Sequence, residues 1–276
     1  MTKELKHDPT ILCERFYSQA KWWWGASLIC KLIVIVVGAL SIYLSLFSKV
    51  IPFFVFALTV TSEWFVWRSD KDKGVAESLR RKLDFRDSFE LDIPKADISD
   101  ILARTSKNFR SSLPPEGQRA PYFASKDHDL CTRAIKNIQE SAWWNKHLAE
   151  KIGRYTFIVT LIIVIGSIGL LIASIGTVND FDTLSSIGRV VTAVLMIVLS
   201  LGLIRLTFAY YDFQRKSQRM EERALEYLKY GCTKDDAIRL YNDFHLDRAS
   251  APLIPDWIYN RNKDHLNEVW KDYRED

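Results

Sequence analysis

The sequence predicts an all-α membrane protein: two transmembrane helical hairpins, four spans in all, joined to a helical cytoplasmic domain. Three observations carry that prediction. The mean hydropathy of the 276 residues is close to zero, at -0.08, yet apolar residues collect in two blocks, 22–67 and 155–211. The segments 68–154 and 212–276 are dense in Lys, Arg, Asp and Glu. Each apolar block is long enough for two crossings, since a hydrocarbon core of about 30 Å needs only about 20 helical residues.

In the first block the polar interruption is Ser48-Lys49, followed by Pro52. Proline is tolerated in the first turn of a helix, which places spans at 28–47 and 50–67 with a very short link. In the second block 155–178 is followed by "NDFDTLSS" and then by 187–211, again two stretches around a polar turn. A signal peptide fits poorly, because a second apolar stretch follows the first where a small-residue cleavage site would stand. The chain thus divides into an interfacial N-terminal segment 1–27, a hairpin 28–67, a cytoplasmic region 68–154, a second hairpin 155–211 and a cytoplasmic C-terminal region 212–276.

Orientation follows the basic residues. Lys3, Lys6, Arg15 and Lys21 precede the first span, Arg68, Lys71 and Lys73 follow the second, and Lys151, Arg154, Arg215 and Lys216 flank the second hairpin. The two turns offer only Lys49 and an acidic "NDFD". Both termini and the middle region are therefore expected on the cytoplasmic side. Trp22, Trp23, Trp24, Trp64, Trp67, Tyr210 and Tyr211 are expected at headgroup depth, which amphipathic rings favour.

Outside the apolar blocks the period is helical. Val75, Leu79 and Leu83, with Phe85 and Phe89 near the same stripe, extend the second span as a helix. "PKADISDILARTS" puts Ile98, Ile101 and Leu102 on one face after Pro94, and "SSLPPEGQRAP" reads as a loop. Leu130, Ala134, Ile138, Ala142, Leu148 and Ile152 form a stripe that runs into the third span. The fourth span runs out to a stop at Gly231. A further short helix begins at Thr233, with Asp236 completing a capping box. These helices are expected to form one bundle.

Cys13, Cys30, Cys131 and Cys232 have no C-x-x-C spacing and no His at ligand offsets, so reduced thiols without zinc or disulfide are expected. Phosphate-loop, dinucleotide, nucleophile-elbow and zinc-protease motifs are missing. His128 and His147 read as ordinary polar-helix residues, so no enzyme, cofactor or metal is expected.

Three strong charges lie in the interior of the spans: Lys31, Glu63 and Arg205. At 1.5 Å per residue all three fall near the cytoplasmic end of the bilayer. Lys31 and Arg205 can snorkel, but a carboxylate at that depth must be paired, wet or protonated. Glu63 is accordingly expected to pair with Lys31 on the adjacent helix or with Arg205 across the hairpins, as a charge lock on the resting bundle. Gly169, Ala173 and Thr177 recur every four residues in the third span, a surface that lets another helix approach closely. Four spans with so little polar wall cannot enclose a wet path alone, so conduction would require a homo-oligomer in the lipid bilayer.

The strings "FYSQAKWWW", "SAWWN" and "LDRASAPLIPDWIYNRNKDHLNE", set on this layout, make the whole chain resemble the SMODS-associated four-transmembrane family of pore-forming effectors. The resemblance implies a multi-pass protein of the bacterial inner membrane that permeabilises it during phage infection, an abortive-infection effector of cyclic-oligonucleotide antiviral defence. Its implied partners are a cyclic oligonucleotide or its synthase, with no nucleic-acid polymer. Such a ligand needs cations beside aromatic platforms. Arg110, Arg119 and Tyr122 with Phe123 provide one such group, and Trp257, Tyr259 and Arg261 another. A non-conducting scaffold or sensor for a cytoplasmic partner is the alternative.

Overall fold

The computed structural model describes residues 8–40, 50–105, 109, 123, 125, 127–177, 185, 188, 191 and 202–273. The described residues form helices without strands: α1 (Pro9–Leu40), α2 (Ile51–Phe89), α3 (Lys95–Ala103), α4 (Leu130–Thr177), α5 (Leu203–Tyr230), α6 (Lys234–Ser250) and α7 (Asp256–Tyr273). The expected all-helical fold is therefore observed. The expected first turn and all of the second but residue 185 lie outside the described residues, as does about half of the expected fourth span. Among the described residues no helix is long and apolar enough to cross a membrane.

Helix ends follow the local chemistry. Thr233 caps α6: its hydroxyl accepts from the Asp236 backbone N–H, and the Asp236 carboxylate accepts from the Thr233 N–H at 3.1 Å. Gly231, with φ of 86°, ends α5 in the left-handed conformation glycine adopts at no steric cost. Pro94 is the N-cap of α3. Glu90 ends α2 with φ of 57°, a conformation that costs a side-chain-bearing residue about 1–2 kcal/mol. Arg133 holds that end, donating from Nε to the Ser88 carbonyl at 3.2 Å and from Nη2 to Glu90 Oε1 at 2.9 Å.

Two compact units divide the chain, one from 1–20, 70–150 and 212–276, the other from 21–69 and 151–211. The first, the polar unit, has an ordinary apolar core. Ala134, Ile135, Ile138 and Ala142 of α4 meet Phe89, Met220, Ala224, Leu240, Tyr241 and Phe244. Leu12, Cys13 and Phe16 pack with Ala76, Leu79, Leu83 and Ile98 in a second cluster, so the expected stripes on α2, α3 and α4 are the buried ones. Helix α7 was not anticipated. Its buried face is Ile258, Asn262, Leu266 and Trp270, with Trp270 against Trp143 at 5.3 Å between ring centres.

In the second, apolar unit, α1 meets α2 through Ser27 and Ser62, both fully buried, with their hydroxyls 3.2 Å apart. Trp23 stacks on Phe65 at 5.3 Å and meets Trp64 edge-on at 5.5 Å. Helix α4 approaches α5 at Gly153, where a Cβ would lie 3.4 Å from that of Tyr210. Tyr210 is 0% exposed and packs within the unit.

Candidate functional site

The three intramembrane charges expected from the sequence all fall in the apolar unit. Lys31 and Glu63 meet: Nζ lies 3.3 Å from Oε1, one helical turn beyond the Ser27–Ser62 contact on α1. The Lys31 side chain is 20% exposed and that of Glu63 is 63% exposed. The lysine is thus folded into the α1/α2 contact while the carboxylate faces outward. Arg205 is exposed and, among the described residues, joins no ion pair. Of the two partners expected for Glu63, the structure brings Lys31 to it.

Gly169 and Ala173 lie on an exposed face of α4, and the Thr177 side chain is outside the described residues. A Cβ on Gly169 meets nothing within 4 Å among the described residues. Arg110, Arg119 and Tyr122 lie outside the described residues. Phe123 is buried at 7% exposure beneath the Arg80 guanidinium, 5.6 Å from its ring centre, so its face serves packing. Trp257 and Tyr259 are 53% and 45% exposed on α7, with Tyr259 tilted against Trp144 at 6.1 Å. Arg261 is exposed on the same helix. Ile258, between the two aromatics, supplies the anchor at 0% exposure.

A second cluster, in the polar unit, was missed from the sequence. Asp72, Ala76, Arg80, Asp84 and Ser88 recur every fourth residue of α2 and all are buried. Asp84, 1% exposed, is the hub: Arg80 Nε lies 2.8 Å from Oδ1, while His245 Nε2 and Arg248 Nη1 lie 3.6 and 3.8 Å from Oδ2. Arg248 also reaches Glu77 at 3.3 Å and donates to the Tyr17 hydroxyl at 3.1 Å, which ties α1 to α2 and α6. Burial, aided by Arg248, Arg81 and Arg80, pushes His245 down to about 3, so it is a neutral imidazole packed among Phe85, Tyr241 and Phe244. Beside it an open groove of about 330 Å³ is lined by Asp70, Lys73, Glu77, Ser78 and Arg81. Acids and bases alternate along that lining, and the Lys73 ammonium donates to the Ala249 carbonyl at 2.9 Å and to that of Ala251. The groove therefore presents no uncompensated charge of either sign.

The signal available for this cluster was a charge pattern at four-residue spacing next to the apolar stripe. Apolar periodicity alone assigns such a row to solvent. No protein-family model, curated protein or solved structure matches the chain.

Proposed function

We propose that this protein is a membrane-embedded effector of the bacterial inner membrane that assembles into a homo-oligomer and permeabilises the bilayer when a nucleotide second messenger is present. One observation carries the membrane part. All but seven of the large hydrophobic residues exposed among the described residues belong to the apolar unit. They include Phe53 at 77%, Phe56 at 70%, Ile162 at 65%, Ile172 at 66% and Ile175 at 63% exposure. Soluble monomers rarely expose a continuous apolar surface of this kind, which marks contact with lipid or protein. The segment 155–177 of α4 also contains no Asp, Glu, Lys or Arg, and the side chains at 167, 170, 171, 174, 176 and 177 within it are outside the described residues.

The antiviral role and the nucleotide trigger rest on the resemblance to four-transmembrane defence effectors. Both termini and the polar unit would then face the cytoplasm, as the basic flanks require. The test is dye release from liposomes of bacterial phospholipid carrying the purified full-length protein, with and without added cyclic oligonucleotides. Ligand-dependent release supports the effector reading. A protein that stays in the bilayer after carbonate washing but never releases dye, alone or with ligand, would instead be the non-conducting scaffold or sensor.

A further inference from the structure

We propose that Glu63 of one protomer and Arg205 of a neighbouring copy form the contact through which the oligomer is built. This rests on the membrane reading above. Glu63 stands in the middle of an apolar stripe on α2: Phe56, Val60, Glu63 and Trp67 are spaced by four, three and four residues. At 100° per residue they share one side of the helix within about 60°. Phe56, Val60 and Trp67 are 70%, 54% and 56% exposed, and the Glu63 side chain is 63% exposed. Ser62, one position back, is 0% exposed and turned into α1, so the Glu63 face is rotated about 100° from that contact, flanking it and largely exposed.

Arg205 occupies the equivalent position on α5. It is exposed between Ile204 and Phe208, 40% and 67% exposed, and among the described residues it has no ion-pair partner. Depth matches as well as charge. Glu63 lies six residues before the end of the apolar unit on α2, at residue 69, and Arg205 six residues before its end on α5, at residue 211. Each is therefore about 9 Å along the helix axis from that limit. Two copies side by side in one bilayer would bring the two charges level.

The chemistry also allows the carboxylate to keep its present partner. Ionised carboxylates offer about four lone-pair sites, and Lys31 approaches through a single ammonium, 3.3 Å from Oε1. A guanidinium presents five N–H donors in a planar fork suited to a carboxylate. In hydrocarbon both groups are costly unless paired. Because the two faces differ, α2 of one copy against α5 of the next, the contact is heterologous and closes into a ring when the rotation permits. A ring is the arrangement a pore between protomers needs.

The experiment co-expresses two differently tagged full-length copies, one Val60→Cys and the other Phe208→Cys, and applies an oxidant to isolated inner membranes. The expected result is a disulfide-linked dimer carrying both tags, at least fivefold above that formed when either partner is wild type. Glu63→Gln in the first copy or Arg205→Gln in the second should reduce it severalfold, and Glu63→Arg with Arg205→Glu in both copies should restore it. A dimer no more abundant than the wild-type background, or one indifferent to the charge changes, overturns the contact. Carbonate washing of the same membranes separates the two ideas. Protein retained in the pellet without the crosslink sinks the contact and leaves the membrane reading standing, whereas protein released by the wash removes both.

Discussion

Replacing Asp84 by alanine should be among the most damaging single substitutions in the polar unit. The carboxylate is 2% exposed at its side chain and Arg80 is 8% exposed, so its loss removes the partner 2.8 Å from a largely buried guanidinium, with Arg248 at 17% exposure losing one of its two carboxylates. Removing one partner of a buried ion pair costs about 3–5 kcal/mol, mostly as the penalty of the charge left behind. For a domain of 150–250 residues each kcal/mol moves the melting temperature by about 2–4 °C, so a fall of about 6–20 °C is expected. Trp143 and Trp270, 4% and 7% exposed and packed on one another, provide the signal: urea unfolding of the full-length protein in detergent, followed by tryptophan fluorescence. The double variant Arg80→Met with Asp84→Leu should recover most of the loss, since apolar replacement of a whole buried pair is often neutral or stabilising. A loss below about 1 kcal/mol for Asp84→Ala would refute the assignment of Asp84 as the hub.

Three further outcomes follow from the same packing. His245 sits near pH 3 in the fold against about 6.5 unfolded, so the unfolded chain binds the extra proton. Stability contributed by the neutral ring is complete above about pH 6.5 and is lost as pH falls towards 3, by about 1.4 kcal/mol per unit. Unfolding at pH 7 and pH 5 should differ by about 2 kcal/mol more in the wild type than in His245→Phe. Gly153→Ala should be neutral or stabilising by up to about 1 kcal/mol through helix propensity, because its Cβ meets Tyr210 at 3.4 Å, whereas Gly153→Leu should force α4 and α5 apart and lower the melting temperature. Burial pushes Cys13 up to about 12, so Cys13 should be the last thiol alkylated at pH 8 in a mass-spectrometric time course. Cys13→Ser should leave the labelling of Cys131 unchanged.

What was legible in the sequence was whatever depended on one-dimensional periodicity or on a local cap. The Leu79–Leu83 and Ala134–Ile138–Ala142 stripes, the Thr233 box and the Gly231 stop need only neighbours within a turn or two. Helix α7 was not legible, because "PDWIYNRNKDHLNEVW" draws attention to Trp257 and Tyr259, while the buried face is carried by Ile258, Leu266 and Trp270 with a polar Asn262 among them. Asn262 is accommodated by donating to the Ile258 carbonyl at 2.7 Å, a local satisfaction that hydropathy does not register. The row from Asp72 to Ser88 was illegible for the same reason on a larger scale. A buried arginine is tolerable only where a carboxylate from the same face and residues of a distant helix converge on it, and His245 and Arg248 are more than 150 positions away in the chain. The Lys31–Glu63 pair was readable because both partners sit on helices consecutive in the chain, where the expected hairpin leaves few registers open.

The two units partition their side chains in opposite senses. In the polar unit the apolar residues turn inward and most charges turn outward. The buried exceptions are paired: Arg80 and Arg248 with Asp84 and Glu77 in the Asp84 cluster, and Glu221 with Lys146 on α4. In the apolar unit Ser27 turns inward onto Ser62 and Thr207 onto its own Leu203 carbonyl at 2.8 Å, the exposed Thr59 and Thr61 bond carbonyls of their own helix, and many Phe, Ile and Trp side chains turn outward. A hydroxyl turned inward gains little in water, where the solvent would bond it as well, and an isoleucine turned outward forgoes about 1.5–3 kcal/mol of burial. Both costs vanish when the surrounding medium is hydrocarbon: the outward isoleucine is then solvated by its own kind, and the hydroxyl has only the helix interior in which to find a partner. On the membrane reading proposed above, this partition matches a hydrocarbon surround, and Glu63 and Arg205 are outward charges whose position a lipid surface alone would not explain.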